Sequence, residues 1–353
     1  MKPPWTLRRR SLILAALGAA SPVFALPPRT LQFPRDHGAH PQLRTEWWYI
    51  TGQATAGGRE FGFQVTFFRS RVDATQGMSS NFAAKQLIFA HAAVTDVQGR
   101  KLRHDQRIAR EGFGVVSASQ SDTAIRLHDW SLRRENGVFV AHVPAADFAL
   151  DLRCAPTQPL LLQGRQGLSR KGPQEQQASY YYSEPQLAVS GSIRLQGRSF
   201  AVQGKAWMDH EWSEEVLHPQ AQGWDWIGMN LDDGSALTAF QLRTKEGAPL
   251  WDGGSFRAPG GDVRSFSPGE ASFSPQRRWK SPLSQASYPV EWMVRTPAGV
   301  YTVRAVIDDQ ELDSRASTGA IYWEGLAHLF DSNGRRVGQG YLEMTGYVQR
   351  LRL

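Results

Sequence analysis

The chain of 353 residues has one cysteine, Cys154. It can form no intramolecular disulfide framework, no Cys-based zinc site and no iron–sulfur cluster. It has no G-x-S-x-G nucleophile elbow, since neither Val189-Ser190-Gly191-Ser192 nor Gly234-Ser235-Ala236 has the frame. It has no P-loop and no G-x-G-x-x-G. Gly338-Gln339-Gly340 stops at two glycines and reads as a strand with bulges. Amphipathic helical runs are scarce: short ones are expected only at 213–218 and within 78–86. No apolar run beyond the amino terminus is long enough for a transmembrane helix.

The formal net charge of +7 points at first to an anionic partner. Much of it sits at one end. Lys2, Arg8, Arg9 and Arg10 precede a short apolar run at 11–20, and small residues lead to Ala25. This is the pattern of a secretory leader over residues 1–25, and Arg9-Arg10 loosely fits a twin-arginine signal. Without those four cations, 36 Lys+Arg remain of the 40, against 33 Asp+Glu. A nucleic-acid partner then has no concentrated basic patch to hold it. The mature protein is expected to be soluble, periplasmic or secreted, with no transmembrane segment. A lone cysteine fits an oxidising compartment without requiring a disulfide.

The remainder reads as β-structure. Phe61, Phe63, Val65 and Phe67 alternate onto one face, as do Leu87, Phe89 and His91, and Ala236, Thr238, Phe240 and Leu242. Turns are marked at Gly57-Gly58, Asn136-Gly137, Gly197, Asp233-Gly234 and Asn333-Gly334. Many short strands with regular turns imply an all-β sandwich or barrel. A strand, Gly-Arg turn, strand pattern recurs at Gly58-Arg59, Gly197-Arg198 and Gly334-Arg335. It is either the ordinary use of glycine in hairpins or the trace of a duplicated β-domain. The polar, proline-bearing segment 155–185 reads as a long loop or connection, and 258–282 as a second break.

The densest chemical cluster is Trp207-Met208-Asp209-His210-Glu211-Trp212, followed by Trp224-Asp225-Trp226. Acids and imidazole beside large apolar rings are placed to have pKa values near neutrality and to donate or shuttle a proton. Tryptophan faces also stabilise cations. The competing reading is tryptophan in a barrel core with charges paired at the rim. A helix from Glu211 would gather Glu211, Glu214, Glu215 and His218 near His210, yet the spacing matches no standard zinc signature, so no metal is expected. Glu46-Trp47-Trp48-Tyr49 opens the first strand, with its two tryptophans on opposite faces. Tyr180-Tyr181-Tyr182 and Tyr322-Trp323-Glu324 again set aromatics beside an acid. His91, on an apolar face, is a satisfied core residue, or an acid–base candidate if that face meets a cavity.

These blocks resemble the secreted lipocalin-like family of AttH-type proteins and carotenoid 1,2-hydratase (hydroxyneurosporene synthase). The resemblance rests on Thr45-Glu-Trp-Trp-Tyr-Ile-Thr-Gly52, Phe67-Phe-Arg69, Ala90-His-Ala-Ala-Val-Thr-Asp96, Gly204-Lys-Ala-Trp-Met-Asp-His-Glu-Trp-Ser213, Gly223-Trp-Asp-Trp226, Asp233-Gly234, Tyr322-Trp-Glu-Gly325 and Gly340-Tyr-Leu-Glu-Met-Thr-Gly-Tyr347. It implies two lipocalin-like antiparallel β-barrel domains side by side, over 26–200 and 201–353. It also implies an apolar isoprenoid- or lipid-like ligand between or within the barrels and needs no cofactor. In the hydratase branch, an acid protonates an isoprenoid double bond and water attacks the cation. Carried over, Asp209 or Asp225 is the acid with His210 and Trp212 in support. Glu46, Trp48, Tyr49, His91, Trp207, Trp224, Trp226, Tyr322, Trp323 and Glu324 line the ligand site. The AttH-like branch carries the description of predicted secreted hydrolase. The implied alternative to a hydro-lyase or hydrolase is a non-catalytic carrier of an apolar ligand serving an ABC-type exporter.

Overall fold

A computed structural model describes residues 25–350 apart from Val216. The expected leader lies outside the described residues except for Ala25. The first sheet contains β1 (Thr45–Ala56), β2 (Arg59–Arg71), β3 (Gln86–Asp96), β4 (Lys101–Arg110), β5 (Val116–Ala118), β6 (Ala124–Leu127), β7 (Trp130–Glu135), β8 (Val138–Pro144), β9 (Phe148–Ala155), β10 (Leu161–Leu162), β11 (Leu168–Arg170), β12 (Ala178–Leu195) and β13 (Arg198–Ser213). The second contains β14 (Gly223–Leu231), β15 (Ala236–Arg243), β16 (Pro249–Arg257), β17 (Val263–Phe266), β18 (Ser272–Lys280), β19 (Ser287–Thr296), β20 (Gly299–Ala305), β21 (Glu311–Ser314), β22 (Ala320–Phe330) and β23 (Arg336–Met344). The paired strands are antiparallel, as an all-β lipocalin-like fold requires. No helix among the described residues is long and apolar enough to cross a membrane.

The two sheets share a wiring. The first runs β4-β3-β2-β1-β13-β12-β9-β8-β7-β6-β5, the second β17-β16-β15-β14-β23-β22-β20-β19-β18. In each, the opening strand pairs with the closing one, β1 with β13 and β14 with β23. The hairpins β12–β13 and β22–β23 therefore occupy equivalent places. Two of the three Gly-Arg turns sit on them, which favours duplication over coincidence. Both central residues of the turns at Gly57-Gly58, Asn136-Gly137 and Gln196-Gly197 have positive φ. This is the geometry that matches strand twist in two-residue hairpins.

The first sheet curls until β3 and β4 approach β5 and β6. Its interior holds Trp48, Phe61, Phe63, Phe67, Trp130, Leu150 and Trp212. The second sheet encloses Ile227, Tyr288, Trp292, Trp323 and Met344. A third apolar cluster, with Tyr49, Trp207, Trp226, Phe240 and Tyr341, lies between them. Gly62 permits the approach: a Cβ there would stand 2.8 Å from Tyr341 Oη and 2.9 Å from Leu326 Cβ.

Four expectations change. The helices expected at 213–218 and 78–86 do not form. Ser213 ends β13, Gln86 begins β3, and the described stretches between are turns and coil. The loop expected over 155–185 ends early, because β12 starts at Ala178. Pro185 lacks an N–H for the ladder, and the strand accommodates it as a bulge between Glu184 and Leu187. The break at 258–282 contains the whole of β17 and β18. The change of sheet falls between Ser213 and Gly223, so the boundary set at 200 lies inside β13.

Candidate functional site

Directly paired residues of antiparallel strands point to the same face. One rung across the first sheet runs Ser183, Asp209, Tyr49, Thr66, His91 and Gln106, on β12, β13, β1, β2, β3 and β4. One across the second runs Phe240, Trp226, Glu343 and Glu324, on β15, β14, β23 and β22. These rungs face each other across a cavity of about 270 Å³. Trp47, Phe68, Phe89, Trp224 and Leu242 supply apolar wall around them. Gly228 lets the Trp226 ring lie along its own strand, since a Cβ there would be 2.4 Å from that ring.

Four acids meet in this cavity: Asp209, Glu211, Glu324 and Glu343. Asp209 accepts from Trp207 Nε1 (2.7 Å), Ser183 Oγ (2.5 Å) and Tyr181 Oη (2.8 Å). Burial nevertheless pushes its carboxyl up to about 7, outweighing the lowering by those bonds. Glu211 stands 3.0 Å from Lys171 Nζ, which also lies over the rings of Tyr181 and Phe240. Glu324 and Glu343 are direct cross-strand partners. Burial raises both, and the charge of Glu343 raises Glu324 further. Two carboxylates so placed favour holding one proton between them.

Glu324 Oε2 accepts from Gln64 Nε2 at 2.7 Å, while its Oε1 has no hydrogen-bond partner of good geometry among the described residues, although the Tyr49 hydroxyl is near enough to lower its pKa against the effect of burial. Tyr49 Oη and Gln64 Oε1, also buried, likewise make no hydrogen bond of good geometry among the described residues. His91 contacts Tyr322 Oη (2.9 Å) through Nδ1 and Ser317 Oγ (2.8 Å) through Nε2. Ser317 in turn donates to Gln106 Oε1 at 2.6 Å. That bond uses the serine proton, so we assign the His91 proton to Nε2, leaving Nδ1 to accept from Tyr322. Burial lowers His91 to about 3, so the ring is neutral at physiological pH.

The other expected site residues stand inside the barrels. Glu46, Trp48, His210 and Trp212 face the first interior. Glu46 accepts from His40 Nδ1 (2.7 Å), His210 Nε2 (2.9 Å) and Arg69 Nε (2.7 Å). Trp212 stacks on His40 at 4.1 Å and Trp48 on His210 at 4.6 Å. Asp225 faces the second interior, bonded to Gln241 (2.8 Å), Arg243 (2.8 Å) and Tyr347 (2.9 Å), and Trp323 packs in the same core. The physical reason is the two-residue period: Asp209 and His210, or Trp224 and Asp225, cannot share a face of a strand. Of the first pair of tryptophans, Trp47 lines the cavity and Trp48 fills the barrel. Trp207 lies behind Asp209.

The strand geometry also undoes the Glu211–His218 metal reading, for Glu211 pairs with Lys171 and Glu214 with Arg71. Among the described residues His40, Glu46 and His210 are close enough to share a cation. However, the Arg69 guanidinium already supplies positive charge to Glu46, and both imidazoles are spent on the same carboxylate. This donor set fits an ion-pair network better than a metal.

Sequence reading left out Glu343, Lys171, Gln64 and Tyr181 as cavity residues. The available signal was phase: Asp209 and Glu211, Trp224 and Trp226, Tyr322 and Glu324, and Tyr341 and Glu343 are pairs two residues apart.

The family model described as AttH-like matches residues 24–347. The structure of an AttH-type protein from Nitrosomonas europaea is similar with a TM-score of 0.86 and 48% identity, covering 93% of this chain and 100% of that one. Kievitone hydratase from Nectria haematococca is similar with a TM-score of 0.71 at 12% identity, covering 90% of this chain and 93% of that one. No functionally curated protein matches the sequence.

Proposed function

We propose, since the chain belongs to the AttH-like family, that it is a hydro-lyase that adds water to a carbon–carbon double bond of an apolar isoprenoid- or lipid-like ligand. One observation carries this reading: Glu324 is buried on the cavity wall, carries an oxygen without a hydrogen bond of good geometry among the described residues, and lies directly across from a second carboxylate. An acid whose pKa is raised by burial and by a like-charged neighbour is suited to general-acid work.

In the proposed reaction Glu324 donates its proton to the less substituted alkene carbon. The positive charge then sits on the other carbon, where the faces of Trp224 and Trp226 shelter it. Water bonds that carbon and gives a proton to Glu343. The Glu324–Glu343 pair holds one proton before and after, so no other reactant is needed. Kievitone hydratase, a hydratase with the same fold, lends support at the level of fold. The acids of this cavity bear the reaction itself.

The test is to incubate the protein with a panel of terminal isoprenoid alkenes in oxygen-labelled water. The expected result is labelled alcohol from the wild type and a rate lower by about 10²–10⁴-fold in Glu324→Gln, with binding of an apolar fluorescent probe retained. Alkenes bound and recovered unchanged from the wild type would overturn the hydro-lyase and leave the carrier.

A further inference from the structure

The cavity does not end at its own mouth. On β3 and β4 the paired residues His91 and Gln106, then Phe89 and Ile108, then Leu87 and Arg110 climb from the floor outward. Leu87 and Ile108 line the cavity, and Ile108 is also 43% exposed. Beyond them the Arg110 guanidinium stacks over Phe113 (4.2 Å) and Phe82 (5.5 Å). Those rings lie on two separate loops: Phe82 on 72–85 is 73% exposed and Phe113 on 111–115 is 60% exposed. Met78 and Val115 are exposed on the same loops. Apolar side chains thus line the way from the acid-bearing floor to the rim, where the Arg110 guanidinium joins them to two loop tips. Soluble proteins seldom leave large aromatic side chains so exposed together unless that surface meets something.

Cations without an ion-pair partner gather at the tips. Lys85, Arg110 and Arg126 have no carboxylate within ion-pair distance among the described residues. Arg126 is tied to the Phe113 loop by a hydrogen bond to Gly114 O (3.3 Å). Arg71 is shared by Asp73 and Glu214, and Glu111 and Asp129, the latter beside His128 whose N–H bonds Val115 O, are the other acids nearby. Apolar tips ringed by cations complement a surface with anionic headgroups over hydrocarbon.

We infer that the loops at 72–85 and 111–115 dock the protein on an anionic phospholipid surface, so that an apolar ligand passes between bilayer and cavity past Leu87, Ile108 and Phe113. The inference builds on the proposed apolar ligand, but attachment is measurable without turnover, so the two readings fail separately.

The experiment is co-sedimentation of the full protein with phosphatidylcholine vesicles, with and without phosphatidylglycerol. The wild type is expected to pellet with the anionic vesicles and to be released by salt. Phe82→Ser with Phe113→Ser should abolish pelleting, and Arg110→Gln should weaken it about fivefold. Leu283→Ser, which removes an equally exposed side chain elsewhere (57%), should pellet like the wild type. These sites are on the surface, so folding is checked simply by an unchanged melting curve. A wild type that stays in solution with both vesicles overturns the inference. So does a double variant that pellets equally, or capture by a protein partner at these tips with no vesicle binding.

Discussion

Asp209 and Glu324 are both buried acids on the cavity wall, yet their surroundings suit them to different work. Asp209 has donors on both oxygens: Trp207 and Ser183 on Oδ1, Tyr181 on Oδ2. Giving up a proton to a ligand would mean rearranging that set. Glu324 has one bonded oxygen and one without a hydrogen bond of good geometry among the described residues. Asp209 is better placed to fix the wall electrostatically, and its raised pKa then shows as a stability effect. Its folded value of about 7 lies above the ordinary 3.8, so between these values the folded state keeps a proton that the unfolded chain releases. Its contribution therefore becomes less favourable as pH rises through that window, and the penalty is complete above it. Asp209→Asn removes the titration. The buried histidines oppose this trend in the whole protein, so the informative quantity is the difference between variant and wild type. In urea melts that difference should move in favour of the variant from about pH 5 to about pH 8. The lost hydrogen-bond geometry adds only a constant offset. A difference that stays flat with pH would remove desolvation as the cause.

At the scale of one element, β13 carries two tasks on alternate residues. Trp207, Asp209 and Glu211 face the second sheet, while Met208, His210 and Trp212 face the first barrel. Substitutions one residue apart should then have separable effects. His210→Asn takes one N–H from the buried Glu46 carboxylate and should cost about 1.5–3 kcal/mol in denaturant melts, leaving apolar-probe affinity unchanged. A fall in probe affinity in folded His210→Asn would place His210 on the cavity face with Asp209 and contradict the register. The same alternation explains what the sequence could and could not disclose. Phe61, Phe63, Val65 and Phe67 announced a strand with one apolar face, and the paired turn residues announced hairpins. The cavity acids were legible as residue types in Trp207–Trp212 and Tyr322–Glu324. Their facing was not. Residues 206–213 of β13 are buried on both sides, so no polar face marks which way the strand is turned. Trp47 and Trp48 posed the same ambiguity. Lys171 was hidden by the prolines and glutamines around it, which read as loop, and Tyr181 stood out as an aromatic without its facing.

For the whole molecule, the cavity exists because two sheets with the same wiring dock by their outer faces. Buried polar bonds cross the seam: Gln64 to Glu324 (2.7 Å), Thr95 to Gln310 (2.8 Å), and Asn230 both to the Gln186 N–H (2.7 Å) and to Ala206 O (3.0 Å). Separating the sheets would strand these groups and expose the Trp207, Trp226 and Tyr341 cluster. Neither barrel should therefore hold its full stability alone, and the pair should unfold as one cooperative unit. Leu150→Ala places a cavity wholly inside the first core and should cost about 2–5 kcal/mol. If the seam couples the barrels, global opening becomes easier by the same amount everywhere. Amides of Val290 and Val294 on β19, deep in the second core, should then lose hydrogen-exchange protection equal to that lost at Leu150 and Leu152 on β9. Protection lost on β9 and kept on β19 would mean two independent barrels, and the acids at the seam would then owe their burial to a weak docking rather than to the fold.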